Sequence, residues 1–301
     1  MLEQNLDSHA KKENFPVASW LVEARHRGTV MAFYRFVRAA DNVADDPVLD
    51  PETKHQRLNA FERSLILAER NDVAPDIAKL AAPVLRDEVG IAHALTMLSA
   101  FRQDVDQRRY ADWDGLMSYC RRSAAPVGRF LLDVHGEDPA LARLSDPLCA
   151  ALQVLNHTQD CGADFQALDR VYLATDAFER FGIAVDELAE PRCSPELRTI
   201  LDETLDKTAA LLEEAKGLAV AMGNRRMALE TAVVDAWAWA LLAKLRVEDP
   251  LAGRVRVSRK ERAVGAVQAV GSTFWRRLAG ARSPAGAGGH GLFAKPSGEN
   301  H

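Results

Sequence analysis

Two pairs of aspartates carry the chemistry that this sequence most readily suggests. Asp41 and Asp45 lie four residues apart, and so do Asp160 and Asp164. On a helix that spacing puts both carboxylates of a pair on one face. Two such pairs facing each other across a bundle can hold Mg²⁺, which takes oxygen ligands, keeps several waters and bridges carboxylates to substrate phosphates. Spacing alone does not single them out, because Asp46/Asp50 and Asp202/Asp206 share it. Context does. Asp46/Asp50 straddles Pro47, and Asp202/Asp206 lies with Glu203 and Lys207 on an ordinary charged helix face. Asp41/Asp45 closes the mostly apolar TVMAFYRFVRAADNVAD, and Asp160/Asp164 closes LCAALQVLNHTQDCGAD. A carboxylate buried on an apolar helix needs a cation or hydrogen bonds. Arg38 precedes Asp41 by three residues, and Gln153, Asn156, Asp160 and Asp164 follow one another in steps of three and four as a polar stripe.

The elements that must position these groups are helices. Alanine, leucine and arginine dominate, and all three favour helix. Apolar residues recur at helical spacing over Thr29–Ala44, Lys79–Phe101, Asp146–Phe165 and Glu196–Met222. The chain is therefore predicted to be all-α. Breaks are expected at Asp46–Pro51, at His135–Pro139 and at Glu190–Pro195, after which Ser194 caps a helix that begins with Pro195. With 301 residues and 48% hydrophobic content, the chain can bury a sizeable core and is not a disordered protein. One helical domain over 13–281 is expected, with a polar arm at 1–12 and a Gly-, Ser- and Pro-rich disordered tail at 282–301.

Net charge is −5, which argues against a general nucleic-acid binder. The four cysteines form no CxxC pair, consistent with a reducing compartment. No secretory signal is read at the start, and the longest apolar run, Ala236–Ala243, is far below the ~20 residues of a membrane span. A cytoplasmic protein is expected.

The residues also carry a resemblance. Tyr34–Asp45 (YRFVRAADNVAD) resembles the first aspartate-rich motif of the squalene/phytoene synthase family, and Ala151–Leu173 resembles its second. Phe101–Phe130 lies in the expected order between them. The resemblance covers about residues 13 to 260. Within the family, ENFPVAS (Glu13–Ser19), SAAPVGR (Ser123–Arg129) and NHTQDC (Asn156–Cys161) are most similar to the bacterial hydroxysqualene-forming branch of hopanoid biosynthesis.

The resemblance implies an isoprenoid-synthase-type helical bundle with a central cavity whose mouth carries both motifs. It implies that Asp41, Asp45, Asn156, Asp160 and Asp164 bind Mg²⁺, or Mn²⁺ in its place, bridged to diphosphate. Gln153 and Asn156 would orient metal, diphosphate or reacting carbons. Tyr34, Arg38, Arg170 and Tyr172 would contact the diphosphate, with Asn14 about where relatives use a serine. Asn42 replaces an aspartate often found in the first motif, but the two positions four apart are kept. The implied substrate is presqualene diphosphate, ionised and then captured by water, with no nicotinamide. Enzymes upstream and downstream in the pathway are the implied partners.

Other residues read more plainly. His157 is expected to pack or to make a supporting hydrogen bond, Cys120 to be a small buried hydrophobe, and Gly128 to let two helices approach. Trp237 and Trp239 cannot face the same side of one helix. The segment 254–282 is basic and carries Phe274, Trp275 and Leu278, which suggests contact with an anionic membrane surface. The alternatives are a condensing enzyme of the same family, a non-catalytic assembly subunit and a helical scaffold protein.

Overall fold

The computed structural model of the chain describes residues 22–66 and 73–278. Asn14, the arm at 1–12 and the tail at 282–301 lie outside the described residues. The helices run in the order α1 (Ala24–Ala44), α2 (Pro51–Leu65), α3 (Pro75–Asp87), α4 (Ile91–Asp106), α5 (Trp113–Ser123), α6 (Ala125–His135), α7 (Ala142–Gln159), α8 (Cys161–Leu168), α9 (Thr175–Phe181), α10 (Pro195–Glu214), α11 (Leu218–Ala221), α12 (Arg225–Leu245) and α13 (Arg259–Leu278). No strand occurs among the described residues; the sole β feature there is an isolated parallel bridge between Arg109 and Val171.

Two large apolar cores hold the bundle. The first joins α1 to α2, α3 and α4. Val30, Phe33, Val37, Ala40 and Ala44 recur at steps of three and four on α1 and face inward, with Phe33 stacked on Phe130 of α6 at 3.9 Å between ring centroids. The second core surrounds α7, which packs against α6, α10 and α12. Each fully buried side chain, such as Phe36, Leu58 or Leu155, contributes about 1.5–3 kcal/mol. A smaller cluster packs α8 and α9 onto the first half of α10.

The expected breaks fall where the caps form. Asp50 caps α2 through Thr53 N–H at 2.9 Å, Gly136 ends α6 in the left-handed region, and Ser194 caps α10 through Leu197 N–H at 3.1 Å. Three helical windows are interrupted where periodicity gave no sign. Lys79–Phe101 divides at Glu88–Gly90, where Glu88 has φ 59°. Asp146–Phe165 divides at Asp160, and Glu196–Met222 divides after Glu214. In each case the helices on both sides bury their apolar residues, so the hydrophobic rhythm runs through the turn.

A cavity of about 830 Å³ opens between α10, α11, α12 and α13. Leu148, Leu212, Leu218, Trp239 and Val264 are among its walls, and none of the four motif aspartates is. Trp237, on a different side of α12, instead donates its indole N–H to the Arg262 carbonyl at 3.0 Å.

Gly128 lets α6 approach α7 closely. A Cβ at this position would overlap the Ser145 hydroxyl and the Cys149 sulfur. Gly128→Val should lower unfolding free energy by about 1–3 kcal/mol through overpacking. Urea denaturation reads this directly, and an unchanged midpoint would contradict the close packing.

Candidate active site

The first aspartate pair closes α1. Asp45 is its C-cap, with its N–H on the Asp41 carbonyl at 2.9 Å. Just beyond, Asp46 accepts from Val48 N–H at 2.8 Å, forming the turn that carries Pro47. The second pair sits at the end of α7, but not within one helix. Asp160 has left helical geometry (φ −104°, ψ 11°) and joins α7 to α8. The spacing survives the kink, because Asp164 N–H still bonds the Asp160 carbonyl at 2.8 Å, and Asp160 N–H bonds that of Asn156 at 2.9 Å. Asp41, Asp45 and Asp160 thus lie at helix C-terminal ends, where unpaired carbonyls add partial negative charge and favour cations, while Asp164 sits in the first turn of α8.

Arginines meet three of these four carboxylates. Arg38 donates to Asp41 at 2.7 Å. Arg170 is buried and binds both Asp45 and the Ala44 carbonyl, the latter at 3.0 Å. Arg254 donates to Asp160 at 3.0 Å. The fourth, Asp164, lies 3.8 Å from Nδ1 of His157. Arg170 is placed by the loop that follows α8. There Val171 N–H bonds the Arg108 carbonyl at 2.9 Å, and Thr175 N–H bonds that of Tyr110 at 2.9 Å. The loops after α4 and α8 therefore form one unit that reaches across to the end of α1.

Behind the carboxylates lies a buried aromatic layer anchored on Asp104. Its carboxylate accepts from the hydroxyls of Tyr119 at 2.8 Å and Tyr172 at 3.2 Å. Tyr172 stacks on His157, with ring centroids 3.5 Å apart and planes at 14°, and Nε2 of His157 meets Nε2 of Gln153 at 2.9 Å. Tyr110 stacks on the other side, 5.7 Å from Tyr172.

The structure brings Asp41, Asp45, Arg38 and Arg170 together, and groups Gln153, Asp164, Tyr172 and His157. Tyr34 is half-buried one turn before Arg38. Among the described residues, no three His, Cys, Asp or Glu side chains converge on one metal position. The predicted ligands Asp41, Asp45, Asn156, Asp160 and Asp164 instead stand as two separate groups, since like charges repel and each finds its own cationic or hydrogen-bonding neighbour. The donor set still suits a hard cation: it is all oxygen, with Asp41, Asp45 and Asp160 at negative helix ends. Burial, with Asp45 next to it, pushes Asp41 up to about 8, so its charged form is disfavoured until a cation arrives to offset it. Burial also raises Asp160, against the opposing pull of Arg254.

Sequence reasoning missed two residues. Asp104 falls in register with the buried Met97, Ala100 and Phe101 on α4, and a carboxylate on that stripe was the available signal. Arg254 was read as part of a membrane-facing basic segment. The correction is that it folds back onto Asp160, because Val255 and Val257 beside it are buried and Gln159 bonds the Val255 carbonyl. The decoy pairs behave as the context indicated. Asp46 and Asp50 make turn and cap bonds, and Asp202 and Asp206 pair with Arg198 and Arg246.

Residues 8–261 match the squalene/phytoene synthase family. The chain belongs to that family. A hydroxysqualene synthase of Rhodopseudomonas palustris is 42% identical over 270 residues, covering 90% of this chain and 92% of that one. A hydroxysqualene synthase of Sinorhizobium fredii is 39% identical, covering 91% and 93%. The crystal structure of the squalene synthase HpnC from Alicyclobacillus acidocaldarius superposes with a TM-score of 0.68 at 30% identity, covering 81% of this chain and 93% of that one. The fold is therefore the all-α squalene synthase type, and the chain is an enzyme of this family.

Asp41→Ala and Asp160→Ala each remove a site carboxylate at a helix end. Either should abolish turnover of a prenyl diphosphate while leaving helical circular dichroism unchanged. A wild-type rate in either variant would contradict the assignment.

Proposed function

We propose that this enzyme converts presqualene diphosphate to hydroxysqualene in hopanoid biosynthesis, with loss of diphosphate and capture of the carbocation by water. The observation that carries this reading is the 42% identity, over nine-tenths of both chains, to a hydroxysqualene synthase. Both aspartate pairs and the arginines beside them lie within the matched segment.

Diphosphate leaves only when its charge is neutralised as it develops. Asp41 and Asp45 on one side, and Asn156, Asp160 and Asp164 on the other, would hold Mg²⁺, or Mn²⁺ on the same oxygen donors, which would supply Lewis-acid stabilisation of that leaving group. The chain's own cations add to it. Arg38, Arg170 and Arg254 already sit on these carboxylates and can share their N–H donors with phosphate oxygens. Tyr34 borders Arg38 and completes the diphosphate side, with Asn14 assigned to it by resemblance. No nicotinamide enters this sequence of steps, since water rather than hydride ends the cation.

The assay that tests the reading supplies presqualene diphosphate and Mg²⁺ without nicotinamide, with products read by mass. Hydroxysqualene is expected, and farnesyl diphosphate alone should not be consumed. Consumption of farnesyl diphosphate would make the chain a condensing enzyme instead.

The substrate and product are lipids, and the proposal extends to peripheral attachment at the inner face of the membrane, within reach of the pathway's neighbouring enzymes. No helix among the described residues is long and apolar enough to cross a membrane. On α13, however, Val264, Val267, Phe274 and Trp275 share one side of the helix and are 57%, 74%, 55% and 70% exposed. Arg259 and Lys260, both exposed, accompany them at the start of the helix, whereas Arg262 packs over Trp237, so positive charge adjoins the apolar stripe, as an anionic bilayer surface requires. Replacing Val267 and Trp275 by Ser should abolish flotation with anionic vesicles and leave turnover in detergent intact. Flotation equal to wild type would contradict attachment through this face.

A further inference from the structure

We infer that Gln153 holds the water that captures the carbocation, and that His157 is the positioning residue that sets the orientation of its amide. The inference rests on the hydroxysqualene reading above.

The ring of His157 has little freedom. It lies flat on Tyr172, whose hydroxyl is tied to the buried Asp104. Its Nδ1 faces Asp164 at 3.8 Å, and its Nε2 meets the Gln153 amide nitrogen at 2.9 Å. Two nitrogens make a hydrogen bond at that distance only if one presents a lone pair. The amide NH₂ has none to offer, so it donates and the imidazole Nε2 accepts. The ring proton then sits on Nδ1, the nitrogen turned towards the Asp164 carboxylate. The chain Asp164–His157–Gln153 thus commits the amide NH₂ and leaves Oε1 as the acceptor of Gln153.

An amide oxygen is suited to this reaction in a way a carboxylate or imidazole is not. It accepts an O–H of water and leaves a water lone pair for carbon. It is too weak a base to strip a proton from the carbocation and divert it to an alkene. Gln153 lies one turn from His157 on α7 and in the same polar stripe as Asn156 and Asp160, so a water held there stands beside the departing diphosphate. In the step itself, the carbon–oxygen bond to diphosphate breaks and its electron pair leaves with diphosphate. The cyclopropylcarbinyl cation left behind rearranges, a carbon–carbon bond of the three-membered ring breaks as water oxygen bonds the cationic carbon, the pair of that bond forms the new alkene, and the proton shed by the resulting oxonium passes to the released diphosphate.

The test compares wild type, Gln153→Leu, His157→Phe and His157→Asn with presqualene diphosphate and Mg²⁺, and reads the product ratio whatever the rate. His157→Phe keeps a ring on Tyr172 but has no acceptor, whereas His157→Asn keeps a polar group. The ratio of hydroxysqualene to other C30 products should fall about tenfold in Gln153→Leu, the worth of one lost hydrogen bond. It should fall about threefold in His157→Phe, and less in His157→Asn. Slower turnover with an unchanged ratio in Gln153→Leu and His157→Phe would reduce both residues to structural roles and overturn the inference alone. A wild-type enzyme that makes no hydroxysqualene would overturn the underlying reading as well.

Discussion

Negative charge gathered at two helix C-termini, and the arginines that offset it, is the constraint on which the rest of the site depends. The end of α1 carries two carboxylates and that of α7 carries Asp160, on top of their own carbonyl dipoles, with Asp164 following in the first turn of α8. Left alone, such ends would repel one another and resist burial. Arg170 resolves this at α1 by binding Asp45 and the Ala44 carbonyl together, and Arg254 does so for Asp160. Both arginines come from segments outside the helices they stabilise. The loops after α4 and α8 and the extended residues after α12 are consequently held against the site by its own charge.

This arrangement carries a stability cost that the chain retains. Burial raises Asp41 to about 8 and Asp104 to about 6, so each resists ionisation. For Asp41, retention is understandable if an arriving cation stabilises its ionised form. Asp104 has a second use, because its two oxygens fix Tyr119 and Tyr172 and, through Tyr172, the ring of His157.

Much of this was legible from residue types and spacing. Asp41/Asp45 and Asp160/Asp164 stood out from equally spaced decoys because they end apolar helices. The stripe Gln153–Asn156–Asp160–Asp164 followed from helical steps, and the cap at Ser194 from its proline. Arg170 and Tyr172 entered only through the family resemblance, since nothing local reveals that a loop after α8 crosses to α1. Asp104 was hidden because its register marks it merely as inward-facing, and its tyrosine partners lie 15 and 68 residues away. Arg254 was misread for a related reason. A run of basic residues gives one signal to the reader, whereas in the fold its first member turns inward and α13 turns outward. The helix breaks at Glu88 and Asp160 escaped because apolar periodicity continues across them.

The central claim is that the two carboxylate groups act as one site, joined by a diphosphate and divalent cations. Calorimetric titration of inorganic pyrophosphate into the full chain, with and without Mg²⁺, tests it most directly. The account predicts Mg²⁺-dependent binding that Asp41→Ala and Asp164→Ala each abolish, although they lie on different helices. Binding that ignores Mg²⁺, or that survives in either variant, would contradict a shared site.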